Sequence, residues 1–154
     1  MHRNRKKSAQ AGVAAMEFAI ALPVLLLLFM AVVEFGRAFL QYNQLTRAVQ
    51  DSARLVASEA LRGSAGTVNL DAALVAKARS LVVFGNTAGT GPTLLPGLIP
   101  GNVTVRDLGG GNIAVSATYT YQPMIGTGIP RMVQAGQIAT GFTLRAEVVM
   151  RAIS

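Results

Sequence analysis

The chain begins with a basic stretch followed by a long apolar run. Residues 13–33 are almost wholly apolar apart from Glu17, and residues 18–33 carry no charge. As a helix rising 1.5 Å per residue, the run from 13 to 33 would span about 32 Å, which is close to the roughly 30 Å hydrocarbon core of a bilayer. The pattern therefore predicts a transmembrane helix over 13–33, preceded by a basic leader at 1–12.

A second pattern occupies residues 34–62, where apolar positions recur at steps of three and four residues. This spacing is typical of one face of an amphipathic helix. The face comprises Phe35, Phe39, Tyr42, Leu45, Val49, Ser52, Val56 and Ala60. We expect an extracytoplasmic continuation of the helix, ended by Gly63, whose apolar face packs against the protein's own C-terminal domain. Packing against a partner helix is the alternative.

The remainder, 63–154, has the patterns of a small α+β domain. A helix over 72–83 is predicted, with Asp71 as its N-cap and a stop at Gly85. Three stretches alternate apolar and polar residues as strands do, and they lie at 102–107, 113–121 and 139–152. The predicted fold class is α+β: a long N-terminal transmembrane helix that continues as an amphipathic helix, packed with a short helix and a small antiparallel sheet of about three strands.

The net charge of +7 is unevenly distributed. Four of the fourteen basic residues lie in the first seven positions, and the sequence after residue 12 has ten basic and seven acidic residues. These ten are spread singly, without the basic stripe that a nucleic-acid surface requires, so no nucleic-acid partner is predicted. Because basic loops stay in the cytoplasm, the N-terminus is predicted to be cytoplasmic and the C-terminal domain extracytoplasmic. A cleaved signal peptide is disfavoured by the length of the apolar run.

The residue types needed for most catalysis and metal binding are scarce. There is no cysteine, and the single histidine is His2 in the basic leader. Thiol chemistry is therefore excluded, and histidine-dependent catalysis and zinc binding lack ligands in the folded region. No two carboxylates are close enough in sequence to suggest an acid and base pair. We predict no catalytic residues, no metal and no cofactor.

One feature of the apolar run needs a further explanation, namely the carboxylate of Glu17 at its start. Gly12 precedes Glu17 by five residues, after the basic leader. This arrangement resembles the processing site of type IV pilins, which a membrane peptidase cuts after a glycine. With the flanking sequence VAAMEFAIALPVLLLLF and the later EFGRAF, residues 12–56 resemble the TadE-like family of Tad (Flp) pilus assembly proteins.

The resemblance implies that the α+β fold is pilin-like. It also implies a non-enzymatic minor pilin or pseudopilin that a prepilin peptidase cleaves after Gly12, which makes Val13 the first mature residue. It also implies an assembly role for Glu17, as the partner of the exposed Val13 amine of a neighbouring subunit. The expected partners are the peptidase, other Tad pilins or pseudopilins and the assembly platform in the bacterial inner membrane. Two alternatives stay open. Glu17 could simply extend its carboxylate toward the membrane surface, and the chain could be an uncleaved single-pass protein whose outer domain binds an envelope partner.

Overall fold

The computed structural model describes residues 3–61, 68–124, 128–130, 137–139 and 141–152 of the 154-residue chain. Its contacts divide the chain into two compact units, Met1–Arg37 and Ala38–Ser154. The helices are α1 (Arg3–Glu59) and α2 (Ala72–Phe84), and a short 3-10 helix covers Pro100–Asn102. The strands are β1 (Val103–Gly109), β2 (Asn112–Thr120), β3 (Gly128–Pro130), β4 (Gln137–Ala139) and β5 (Thr143–Arg151). The predicted α+β, pilin-like arrangement is confirmed.

The first unit is helical from Arg3 onward. The leader predicted for residues 1–12 was expected to precede the helix, whereas in the structure its residues from Arg3 onward form the first turns of α1. Arginine, lysine, alanine and glutamine dominate this stretch and are all good helix formers, which accounts for the difference. Side chains 12–33 are exposed on every face of the helix. A helix that is apolar all round and uncovered requires an apolar surrounding, as in a bilayer.

In the second unit, α2 has the boundaries that its capping residues predict. Asp71 accepts a hydrogen bond of 2.6 Å from the backbone N–H of Leu74 through its side chain, as an N-cap residue does. At the other end Gly85 has φ of 73° and donates its N–H to the carbonyl of Leu81. A left-handed residue at this position strongly favours glycine, so the helix ends where the sequence has one.

Three strands form an antiparallel sheet in the order β1-β2-β5. The connection between β1 and β2 contains Gly109, Gly110 and Gly111, all with positive φ. Asp107 accepts the N–H of Gly109 at 2.7 Å, and the register shifts at this point. The two predicted strands at 102–107 and 113–121 are therefore present as a hairpin with a glycine turn.

The predicted third strand over 139–152 is present as β5, which begins four residues later, at Thr143, and ends at Arg151. Thr143–Arg151 pairs along the whole of β2, whereas Gln137–Ala139 pairs with Gly128–Pro130 in a separate two-stranded sheet. Gly141 lies between the two strands, and a glycine inside an extended run weakens it. The small second sheet was not predicted from the sequence.

One apolar core fills the second unit. It combines side chains of α1, α2, the 85–101 connection and the three-stranded sheet. Its largest fully buried members include Leu45, Leu95, Leu98, Ile113 and Tyr121. Tyr119 and Tyr121, which share one face of the predicted strand, are both buried, so they belong to the core rather than to a binding platform.

A buried hydrogen bond joins the two helices within this core. Ser52 of α1 is fully buried, and its hydroxyl donates to the carbonyl of Ala78 in α2 at 3.0 Å. Both residues are small, which allows the helix backbones to approach closely. The pair therefore fixes the position of α2 along α1 as well as satisfying a buried polar group.

The predicted apolar face of α1 is confirmed only in its outer part. Leu45, Val49, Ser52, Val56 and Ala60 are buried. Phe35, Phe39 and Tyr42 are instead exposed, to 76%, 58% and 39%. The buried positions before Leu45 are Ala38 and Gln41, so the covered face follows smaller residues than the sequence analysis assumed. The predicted helix end at Gly63 lies outside the described residues, and α1 ends at Glu59.

Candidate assembly site on helix α1

Glu17 lies on an otherwise apolar face of α1. Positions three, four, seven and eight residues later share its face of a helix, and together they line a shallow groove: Glu17, Ile20, Ala21, Val24 and Leu25. Among these lining residues the carboxylate is the single charged group. The small side chain of Ala21, one turn from Glu17, leaves room beside the carboxylate.

The chemistry of this groove favours a cationic hydrogen-bond donor. An ionised carboxylate only accepts hydrogen bonds, and among the described residues no ion pair or hydrogen bond involves the Glu17 side chain. A compact ammonium group can supply several donors in a small volume. The described residues contain no group of three or more His, Cys, Asp or Glu side chains that could hold a metal ion.

Pro23 lies within α1 and changes the backbone near the groove. Because proline has no N–H, the carbonyl of Ala19 one turn earlier loses its usual donor. Ala19 is two residues from Glu17, about 200° around the helix, so this carbonyl and the carboxylate face different sides. A group that donates a hydrogen bond to the Ala19 carbonyl would therefore be a different group from one that donates to the Glu17 carboxylate.

The two glycines inside α1, Gly12 and Gly36, have no packing role in the chain. A Cβ added at either position would meet nothing within 4 Å, and neither has a positive φ. Glycine inside a helix is nevertheless destabilising by roughly 0.5–1 kcal/mol relative to alanine. The contacts of the described residues therefore give no reason for glycine at either position.

Two ion pairs are present in the described part of the chain, Lys77 with Glu59 at 3.3 Å and Arg145 with Glu147 at 2.8 Å. One guanidinium nitrogen of Arg37, Nη1, is buried and has no hydrogen-bond partner among the described residues.

The second unit has a groove that the sequence analysis did not identify. It encloses about 270 Å³ and combines Gln44, Arg47, Ala48 and Asp51 of α1 with Leu81, Gly85 and Leu94. The four-residue spacing of Arg47 and Asp51 on one helix face was available as a signal. The apolar wall depends on the 85–101 connection folding back, which no local pattern predicts.

The segment that carries Gly12, Glu17 and the later EFGRAF was compared with known families. Residues 12–54 match the family model of TadE-like proteins. The resemblance deduced from the sequence is thus confirmed for this segment, and the match begins at Gly12 itself. No curated protein and no solved structure matches the chain.

The TadE-like match indicates a membrane protein associated with the Tad pilus. It agrees with the structure, because within the described residues one helical segment, Gly12–Glu59, is long and apolar enough to cross a membrane. The TadE-like segment includes the groove with Glu17, both glycines of α1 and the exposed aromatic residues Phe35 and Phe39. It ends before α2 and the sheet, so these carry no family assignment.

Proposed function

We propose that this protein is a minor pilin or pseudopilin of a Tad-type pilus, cleaved by a prepilin peptidase between Gly12 and Val13. The observation that carries the proposal is the glycine at the first position of the TadE-like segment. Gly12 weakens the helix, and a Cβ added there would meet nothing within 4 Å among the described residues, which fits a site on which an enzyme acts. A site without a side chain also allows a local extended conformation in a protease cleft.

Glu17 has the second role in the proposal. Cleavage would release the amine of Val13, which carries a positive charge at neutral pH and lies near the cytoplasmic face. The carboxylate of Glu17 on a neighbouring subunit could accept hydrogen bonds from this ammonium group inside the apolar groove. Such a pair neutralises both charges and sets the axial offset between two helices, since either charge alone would be costly in apolar surroundings.

The function so described is non-enzymatic and depends on contacts within the membrane. The partners are the prepilin peptidase, other Tad pilins or pseudopilins and the assembly platform of the bacterial inner membrane. The N-terminus lies in the cytoplasm and the unit that contains α2 and the sheet lies outside, because the basic residues concentrate before the apolar run.

The test is the N-terminal residue of the mature protein in its native host. We expect Val13, and we expect Gly12→Leu to abolish cleavage by filling the extended site with a bulky side chain. The matched control is Gly36→Leu, the same substitution at the other open glycine of α1. Because an added Cβ at either position meets nothing within 4 Å, we expect both variants to keep the fold and only Gly12→Leu to keep its leader.

An intact Met1 in the native host would refute the pilin proposal. The uncleaved single-pass protein with an outer binding domain would then be the better description. Equal loss of cleavage in the Gly36→Leu control would show that the effect is not local to the processing site.

A further inference from the structure

Three exposed apolar side chains lie on α1 immediately beyond the apolar run. Phe39, Leu40 and Tyr42 are 58%, 64% and 39% exposed, although their neighbours Ala38 and Gln41 are buried. The three lie within one turn on the part of the helix that the second unit leaves uncovered. A cluster of large apolar groups on one surface marks a contact with another apolar phase or another protein.

The depth of the helix in a bilayer can be derived from its two flanking carboxylates. Glu17 and Glu34 bracket the uncharged residues 18–33, whose midpoint lies between Leu25 and Leu26. A hydrocarbon core of roughly 30 Å centred there covers ten residues on each side, which gives Met16–Phe35. Both carboxylates then lie one residue, about 1.5 Å, inside a boundary, within reach of the headgroups.

The alternative placement over 13–33 is less favourable for Glu17. It moves that carboxylate about 6 Å below the inner boundary while Glu34 lies outside the outer one. The free-energy cost of a charged group rises steeply with its depth in the hydrocarbon. A placement that keeps both carboxylates near a boundary is therefore preferred over one that buries Glu17 more deeply.

The centred placement also determines how far Phe39, Leu40 and Tyr42 lie from the hydrocarbon. Phe39 and Leu40 come four and five residues after Phe35, about 6–8 Å beyond the hydrocarbon, and Tyr42 is about 10 Å beyond it. The headgroup layer on each side is roughly 5–8 Å thick. Phe39 and Leu40 therefore fall within this layer, and the Tyr42 hydroxyl can reach water at its outer edge, as is typical of aromatic residues at membrane interfaces.

We propose that α1 spans the hydrocarbon with Met16–Phe35, that Phe39 and Leu40 insert into the outer headgroup layer, and that Tyr42 lies at the outer edge of this layer. The partner of this surface is the lipid bilayer, because the surface follows directly after the membrane-spanning segment on the same helix. The inference requires that α1 crosses the bilayer once and does not depend on cleavage or on pilus assembly.

The chain has no tryptophan, so single tryptophans can report the depth. Full-length Phe39→Trp and Phe29→Trp are reconstituted in phosphatidylcholine vesicles that carry either a spin label on the headgroup or bromine atoms deep in the acyl chains. We expect the headgroup label to quench Phe39→Trp most strongly and the bromines to quench Phe29→Trp most strongly. Quenching of Phe39→Trp by iodide to the level of free tryptophan amide would overturn the proposal. Protection from iodide and from both lipid quenchers would show that a protein covers the cluster, and would also overturn it.

Single cysteines distinguish the two placements of the span, since the chain has no cysteine. With Met16–Phe35 in the hydrocarbon, Ala14→Cys should react with a water-soluble maleimide in opened vesicles and Phe35→Cys should react slowly. The placement over 13–33 requires the reverse order of the two rates, and that result would refute the proposed span.

Discussion

The replacement Glu17→Gln separates the two roles that the carboxylate could have. Glutamine keeps the size and the hydrogen-bonding oxygen of the side chain and removes its charge. The Glu17 side chain is exposed, and among the described residues it takes part in no ion pair or hydrogen bond. The substitution should therefore leave the fold of the chain unchanged, so that any effect reports on contacts with other molecules.

The magnitude follows from the surroundings of the carboxylate. The groove beside Glu17 is lined by the apolar side chains of Ile20, Val24 and Leu25 and by Ala21. In such surroundings a hydrogen-bonded ion pair with an ammonium group is worth about 1–3 kcal/mol. At about 1.4 kcal/mol per tenfold change, its loss should weaken association by roughly 5- to 150-fold.

The assay is co-purification from the native host. A tagged copy is isolated from solubilised membranes, its N-terminal residue is determined, and the associated pilins are quantified against the unmodified chain. We expect Glu17→Gln to begin at Val13 and to retain far fewer pilins. The matched control is Glu34→Gln, which removes the carboxylate at the other end of the uncharged run.

Two results would contradict this reasoning. A fully cleaved Glu17→Gln protein that binds pilins normally would show that the carboxylate is not an assembly contact. An equal loss in Glu34→Gln would show that association depends on charge at the membrane surface in general, and not on a specific pair with the Val13 amine.

Three further predictions concern the core, the hairpin and the orientation. Ser52→Ala removes the buried hydrogen bond to the Ala78 carbonyl and should lower the free energy of unfolding in detergent by about 0.5–1.5 kcal/mol. The control Ser58→Ala, which removes an exposed hydrogen bond to the Leu55 carbonyl, should change that free energy little. Equal effects of the two substitutions would refute the role of Ser52. Gly110→Ala should lower the free energy of unfolding, measured with heat or urea, by about 1–2 kcal/mol because Gly110 has φ of 60°. Gly101 has no positive φ, so Gly101→Ala should leave that free energy nearly unchanged. In a host without the prepilin peptidase, where the leader stays attached, Val149→Cys, 54% exposed, should react with an impermeant maleimide on spheroplasts and Ser8→Cys only after lysis. The opposite result would invert the topology.

The sequence predicts the elements of this fold well where local chemistry defines them. Asp71 and Gly85 mark the ends of α2 because a side-chain cap and a left-handed residue are requirements of the helix itself. The alternation of apolar residues predicts the buried face of β2, including Ile113, Val115 and Ala117. The glycine run between β1 and β2 likewise specifies a turn that only glycine adopts easily.

What the sequence does not predict depends on contacts between distant segments. Two helical stripes, one through Phe35, Phe39 and Tyr42 and one through Ala38 and Gln41, both continue into Leu45, and hydrophobicity alone favours the aromatic one. The structure covers the other stripe, because the close approach of α2 at Ser52 and Ala78 fixes which side of α1 faces the core. For the candidate site, the spacing of Gly12 and Glu17 was evident in the sequence, but the open space that a Cβ at Gly12 would find among the described residues required coordinates.

The burial of α1 in the second unit limits which of its surfaces another subunit can use. Leu45, Val49 and Val56 are at most 1% exposed, and truncating a buried leucine to alanine typically costs 2–5 kcal/mol. Withdrawing this face to meet a partner helix would lose several such contributions at once and would leave the Ser52 hydroxyl and the Ala78 carbonyl without each other. Contacts through α1 are therefore restricted to residues 12–33, which are exposed on every side, and to outward positions beyond the headgroup layer such as Arg54. Pilus assembly through this helix would thus be decided mainly within the membrane, where the carboxylate of Glu17 is the charged group on the apolar surface.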